Sequence, residues 1–286
     1  MATTQIRSRK SSRSRLSALA TQLGLAGLIV FALFPVVWII YTSFRPESDI
    51  IAHSVSLIPE SIGLDNYVRA WTQSDFPATM GNSLLVVAMT VVITVTLATF
   101  AAYSISRARF RGRRGVLGAV LLIRVIPGVL LLIPLYILMQ QLNLLDTRIA
   151  LTLTYTTFTL PAAIWFMKGF FDALPVDLEN AARVDGCSRI RALFQIVLPL
   201  VRPGLAASAI LVAIESWNDI LFALLLTSTN ASRTWPVGMK LLVGEFQLPW
   251  GQLAAVTVLS LIPVIFGFAL AGRSMISGLT AGALKD

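Results

Sequence analysis

One cysteine, Cys187, and one histidine, His53, stand in 286 residues. A lone cysteine excludes an intrachain disulfide. A lone histidine excludes a multi-histidine metal site, and histidine chemistry would have to rest on His53 alone. Charge is also scarce: 13% of residues are charged and 56% are hydrophobic, where a soluble domain carries about a quarter charged. The deficit implies that most of the chain faces lipid or other apolar helices. No G-x-x-x-x-G-K-[ST] phosphate loop occurs, so the chain itself is not expected to bind ATP. No internal repeat is evident, which weighs against a transporter built from inverted halves. Intramembrane enzymes are disfavoured too. His53 falls in a polar connection, and only Asp219 is clearly placed for a paired-aspartate site.

What is present is a series of apolar runs. A hydrocarbon core of about 30 Å needs about 20 apolar residues in helix. Six runs qualify: 17–43, 82–106, 115–139, 150–171, 203–226 and 252–272. Lipid offers no hydrogen-bond partner to a backbone, so each is expected to be helical. The fold class is therefore all-α, a polytopic membrane protein. A basic tail occupies 1–16, the membrane domain 17–272 and a C-terminal tail 273–286. The run 17–43 follows Arg7, Arg9, Lys10, Arg13 and Arg15 as a signal peptide would. Its apolar stretch exceeds a signal core of ~7–15 residues, however, and no small-x-small cleavage site closes it.

Net charge is +9. Most Lys and Arg residues fall in 1–16, 107–114, 172–202 and 273–286, and one short loop alone holds Arg107, Arg109, Arg111, Arg113 and Arg114. Basic runs between apolar spans fit the cytoplasmic face of a membrane rather than nucleic acid. Both termini are then expected in the cytoplasm, with outer loops at 45–80, 140–149 and 227–250. Pro127, Pro134 and Pro161 lie within spans and each favours a kink. Such kinks suit either ordinary bundle packing or bent helices around a gated cavity.

Between the fourth and fifth runs, 172–202 reads as a hairpin of two short helices. Pro175 prepares a helix start, Asp177 is a plausible N-cap and Glu179 falls in the first turn. Leu178, Ala181 and Ala182 form a small apolar face, and Gly186 can supply a left-handed stop. Ser188 can cap the next helix, whose Ile190, Leu193, Phe194 and Val197 make an apolar stripe. Pro199 and Pro203 are expected to end it before the fifth span. Residues alone leave two roles open: a helix resting on lipid headgroups, or a mechanical link to a soluble partner.

Three charges fall inside spans: Arg124, Glu215 and Asp219. Each costs at least ~2.5–3.5 kcal/mol at the bilayer centre unless it faces protein or water. Glu215 and Asp219 are four apart and are expected on one helix face. From ~1.5 Å per residue, Arg124 and Glu215 reach similar depths. Arg124 is expected to pair with Glu215, with Asn218 and Asp219 toward the central path. The alternative is that all three are ties between helices or subunits. Trp217 could stack on a sugar ring, although tryptophan serves more often as packing. Trp235 and Trp250 suit a membrane belt or partner contacts.

Within the hairpin, Ala181, Ala182 and Gly186, followed by Ile196, Leu198 and Pro199, match the pattern E-A-A-x-x-x-G-x₉-I-x-L-P. The chain thus resembles binding-protein-dependent ABC importer permeases. It departs at the glutamate position, which holds Asn180, with Glu179 one residue earlier. Trp217-Asn218-Asp219 and the tail from Ser277 to Lys285 look like the carbohydrate-uptake subfamily, and its smaller maltose-type membrane subunit in particular. The resemblance implies a permease forming half of the pathway for a sugar or polyol in a bacterial or archaeal cytoplasmic membrane. It implies a second homologous permease, an extracytoplasmic sugar-binding protein and two ATPase subunits that hold ATP and Mg, with no cofactor on this chain. It further implies ATPase docking through Leu178, Glu179, Asn180, Ala181, Ala182, Asp185, Gly186, Ile196, Leu198 and Pro199. A second ATPase contact would lie at Gly278, Leu279 and Thr280. The competing reading is a self-sufficient channel or secondary transporter using Arg124, Glu215 and Asp219 as an ion-coupled set.

Overall fold

The computed structural model describes residues 9–52, 58, 61–108, 110–244 and 248–283, and among these it contains helices and no strand. His53 lies outside the described residues. The helices are α1 Arg9–Ser43, α2 Glu47–Ala52, α3 Asp65–Thr72, α4 Phe76–Arg107, α5 Arg113–Leu122, α6 Leu132–Gln141 and α7 Arg148–Ala173. They continue as α8 Asp177–Val184, α9 Arg189–Ala192, α10 Leu198–Leu200, α11 Arg202–Asn218, α12 Leu221–Leu226, α13 Trp235–Leu241 and α14 Trp250–Ala283. Four helical stretches are long and apolar enough to cross a bilayer: Ala18–Ser43, Phe76–Arg107, Arg148–Ala173 and Trp250–Leu270. Two bent pairs bring the number to as many as six if each is one span.

The third expected span is one of those pairs. Gly115–Val125 and Gly128–Gln141 meet at 90°. Pro127 has no N–H to continue the first helix, and its ring forces the preceding residue out of the helical region. Ile126 is accordingly extended at φ −72°, ψ 119°. Pro134 causes no such break, because it sits in the first turn of α6, where its N–H would have no partner anyway. α7 likewise runs through Pro161 to Ala173 without interruption. The fifth expected span, 203–226, is not continuous. α11 stops at Asn218, Asp219 is extended at φ −70°, ψ 128°, and α12 begins at Leu221.

The chain divides into two compact units. In the larger, residues 73–247 and 260–286, the core lies where α4, α7 and α11 cross. α4 presents Val86, Thr90, Thr94, Ala98 and Ala102, all fully buried and each four residues from the next. That spacing places them on one helix face. Apolar lipid gives helices no hydrophobic reason to associate, so close packing of small side chains does the joining. Ala163 and Thr159 of α7 answer this stripe, and Thr94 Oγ1 meets Thr159 Oγ1 at 3.3 Å. Most buried threonines turn their hydroxyls back on their own helix, as Thr90 does to the Val86 carbonyl. At Gly204 of α11 a Cβ would stand 2.5 Å from the Phe170 ring, so only glycine permits this approach to α7.

The smaller unit comprises residues 1–72 and 248–259. No residue of the apolar window of α1 is buried within the chain, and Phe31 is 83% exposed. An apolar helix with this exposure suits contact with lipid or another subunit. Beyond it the chain turns over a polar knot. Arg45 pairs with Asp49 at 2.8 Å, and Asn66 Nδ2 donates to the carbonyls of Ser43 and Arg45. The Glu47 carboxylate accepts the Trp250 and Gly251 N–H groups, both at 2.9 Å. Those donors open α14 and have no partner within the helix, and the negative charge suits its N-terminus.

Candidate functional site: the 172–202 hairpin and the polar breaks

The hairpin forms from the signals expected, with a shifted start. Asp177 is the first residue of α8 rather than its cap, because Val176 occupies the cap position and offers no side-chain acceptor. The shift follows from Pro175, whose turn already directs the Glu179 and Asn180 N–H groups onto the Val176 carbonyl. Gly186 stands at φ +87°, in the left-handed region where a side chain is strained. The Cys187 N–H closes that turn on the Ala182 carbonyl. Ser188 caps α9 by accepting the Arg191 N–H. A widened turn, Leu193–Val197, follows and gives the Leu198 N–H to the Leu193 carbonyl just ahead of Pro199. Pro203 does not end this arm but sits in the first turn of α11, which leaves Arg189–Leu200 at 76°.

Burial divides the hairpin's residues into two sets. Ala182, Ala192, Leu193 and Val197 are buried, the last two in the core with Phe171 and Val201. Leu178, Asn180, Ala181, Asp185 and Gly186 are exposed, and Ile196, Leu198 and Pro199 are half-buried. The expected stripe is split, since Leu193 and Val197 face inward while Ile190 is 70% and Phe194 52% exposed. Val184 is 88% exposed. A hairpin with this much apolar surface turned outward is incomplete without something to cover it.

Glu179 belongs to the buried set, at 8% exposure. Its Oε1 accepts from Arg107 Nε at 2.5 Å and its Oε2 from the Tyr103 hydroxyl at 2.8 Å. Arg107 also donates to the Leu174 carbonyl and to Ser106 Oγ, and Ser106 donates to Asp172 at 2.5 Å. Lys168 and Arg113 complete the cluster around Asp172. Sequence reasoning missed this network. Lys168 and Asp172 are four apart, but nothing in the sequence ties either Arg107 or Tyr103 to Glu179.

Arg124 and Glu215 are joined, Nη2 to Oε1, at 2.5 Å, with both side chains partly exposed. Arg124 sits in the short 3-10 turn Ile123–Val125 that precedes the break at Pro127. Glu215 and Asp219 do not share a helix face, because α11 has ended before Asp219. Asp219 instead caps α12: its Oδ2 accepts the Phe222 and Ala223 N–H groups and the Tyr155 hydroxyl at 2.9 Å. Asn218 is exposed and its amide returns to the Ile214 carbonyl. Trp217 is 7% exposed and packs on Trp235, whose indole N–H donates to the Trp217 carbonyl. The arrangement provides two polar breaks, one beside an ion pair and one held by a carboxylate. The backbone at Gly278, Leu279 and Thr280 continues α14, and their side chains lie outside the described residues. Among the described residues no group of three or more His, Cys, Asp or Glu could hold a metal.

A third site, also missed, closes the connection between α6 and α7. Asp146, at φ +58°, accepts from the Ser228 and Thr229 N–H groups, from Thr229 Oγ1 and from Ser232 Oγ. Burial pushes its carboxyl up, but these four bonds outweigh burial and hold it well below the usual carboxylate range. A depressed value means stabilisation that is full above the ordinary carboxylate pKa of about 4 and is lost as pH falls through the folded value. Asp146→Asn keeps a residue suited to the left-handed backbone while removing the charge. It is expected to cost about 1 kcal/mol at pH 7, below the ~1.5–3 kcal/mol of hydrogen bonds to charged groups because the carboxylate is only partly buried and solvent screens it. Thermal unfolding in detergent should show a constant gap between the two proteins from pH 7 to about pH 4, narrowing only as pH is lowered further.

The sequence signature of the binding-protein-dependent transport system inner membrane component matches residues 94–275. The sulfoquinovosyl glycerol transport system permease protein SmoH of Agrobacterium fabrum is 37% identical over 258 residues, 90% of each chain. The trehalose transport system permease protein SugB of Mycobacterium tuberculosis is 39% identical over 260 residues, 90% of this chain and 94% of that one. The trehalose/maltose transport system permease protein MalG of Thermococcus litoralis is 37% identical, covering 90% and 93%. Among solved structures, a bacterial ABC transporter importing the acidic polysaccharide alginate superposes with a TM-score of 0.79 at 24% identity, over 94% of this chain and 99% of that one. With its long apolar helices, the chain is a multi-pass membrane protein, and it belongs to the family of binding-protein-dependent transport system inner membrane components.

Proposed function

We propose that this chain is a permease subunit of an ATP-binding-cassette importer and forms half of the membrane pathway for a sugar or polyol. The observation that carries the reading is the 172–202 hairpin. It caps its own turns, anchors Leu193 and Val197 in the core, and presents Leu178, Ala181, Val184 and Ile190 outward. It does this in a chain that has no phosphate loop of its own. Relatives named for sulfoquinovosyl glycerol, trehalose and maltose support a carbohydrate cargo.

In this reading each bent pair is one span, which makes six, with both termini and the hairpin in the cytoplasm. Two ATPase subunits bind ATP and Mg and grip the hairpin through Leu178, Asn180, Ala181, Asp185 and Gly186, with a further contact at Gly278–Thr280. A second, similar permease covers the exposed face of α1. A sugar-binding protein delivers cargo from outside; a bacterial alginate ABC transporter of similar fold has been solved in complex with an alginate pentasaccharide-bound periplasmic protein, which supports this reading. ATP binding closes the ATPases and pushes the hairpin. The breaks at Pro127 and Asp219 let α5, α6, α11 and α12 swing without straining continuous helices. A ligand shifts such an equilibrium only through unequal affinity for the two states, and ATP supplies that inequality.

Purification of the tagged chain in mild detergent tests the assignment. Two ATPase subunits and a different permease should accompany it. A chain recovered alone that moves solute in ATP-free vesicles would refute it in favour of a self-sufficient transporter.

A further inference from the structure

Glu179 lies on the hairpin that the permease reading gives to the ATPases, yet its carboxylate is turned inward and both oxygens are occupied. The group gripping it belongs to α4. Arg107 and Tyr103 are four residues apart and so share one face at the C-terminal end of that helix. Arg107 donates to Glu179 at 2.5 Å through side chains that are only 12% and 11% exposed. Its second arm reaches the Leu174 carbonyl, at the point where α7 gives way to the hairpin. Tyr103 contributes the second bond to Glu179, and its ring packs edge-on against Phe171. The same arginine touches Ser106, which donates to Asp172 on α7. One guanidinium thus joins α8, the end of α7 and the end of α4.

We propose that Tyr103, Arg107 and Glu179 form an internal latch that makes α8 and α4 move together, so that Glu179 is a positioning residue and not an ATPase contact. The proposal rests on the permease reading. Its physical basis is the stiffness of a partly buried, charge-assisted bond compared with an exposed one. Without the latch, α8 is tied to the bundle by Ala182 and by its covalent ends, and a push on the hairpin can be absorbed by the glycine turn at 186. With it, the push is delivered to the base of α4. That helix carries the small-residue stripe on which α7 and α11 pack, so displacement there reaches the whole crossing.

The test uses the complete complex, with its permease partner, ATPases and binding protein, in nanodiscs. Arg107→Gln, Glu179→Gln and the double variant are compared for ATPase retention and for the fold by which the binding protein stimulates ATP hydrolysis. Each single variant should keep the normal complement of ATPases and lose about tenfold in stimulation, within the range of ordinary site-to-site coupling. The double variant should lose no more than either single one, because both break the same bond. Tyr103→Phe removes only a hydroxyl and should lose about threefold, a smaller share of the same coupling. It decides the matter should the charge variants fail to assemble. Stripping of the ATPases by Glu179→Gln but not by Arg107→Gln would make Glu179 a docking residue and end the proposal. Losses that multiply in the double variant, or unchanged stimulation in all variants, would also end it. A wild-type chain that retains no ATPase would instead bring down the permease reading and the latch with it.

Discussion

Val184→Glu is expected to strip the ATPase subunits from the purified complex. Val184 is the most exposed large hydrophobic side chain of the hairpin, at 88% exposure, and lies two residues before the Gly186 turn. It contributes nothing to the core, so the isolated chain should unfold at an unchanged temperature. Under the proposed docking, the same position is covered in the assembled importer. An unpaired carboxylate forced into an apolar contact costs about 3 kcal/mol or more, which is roughly a hundredfold in affinity. Ile190→Ala, which removes apolar area without adding charge, should weaken retention about tenfold. Both are read by the ATPase-to-permease ratio after size exclusion. Full retention of ATPase by the glutamate variant would mean that this face rests on lipid headgroups or another surface.

Asp219→Ala is expected to be the most destabilising single change in the membrane interior. One oxygen, Oδ2, serves three donors: the Tyr155 hydroxyl and the N–H groups of Phe222 and Ala223. The three are not equal. A hydrogen bond between helices within a bilayer is worth about 0.6 kcal/mol on average, because alternative partners exist. Tyr155→Phe should therefore cost well under 1 kcal/mol. The two N–H groups at the start of α12 have no partner within the helix, and lipid offers none. Leaving them bare brings the expected loss to about 3 kcal/mol. Thermal unfolding in detergent would show it, and Asp219→Asn, which retains an acceptor oxygen, should recover most of the loss. A variant as stable as wild type would mean that the break at Asp219 is held by backbone sterics alone.

The hairpin was legible because its signals are local. Pro175, Gly186 and Ser188 act through backbone geometry within a few residues, and the structure places a helix start, a left-handed stop and a cap there. The one-residue shift at Asp177 arose because a proline turn and a side-chain cap compete for the same N–H groups. The ion pair of Arg124 and Glu215 was legible from depth alone, since two charges at one level in a bundle have few other partners. The break at Asp219 was not. Hydropathy counts apolar residues and does not register where a helix stops, and an aspartate reads the same whether it faces a cavity or caps a helix. The latch and the Asp146 clamp were equally hidden, because each joins residues more than 70 positions apart.

Composition and apolar run length by themselves determined that this is a helical membrane protein, because a continuous run of about 20 apolar residues fits a helix that satisfies its own backbone in the bilayer and not the short alternating strands of a barrel. Short-range chemistry likewise determined the hairpin. Only tertiary structure decided which hairpin residues face inward, that Glu179 is held by α4, and that the fifth expected span is interrupted at Asp219. Those outcomes depend on which side chains meet across the bundle, and pairwise contact between distant residues is set by packing rather than by spacing along the chain.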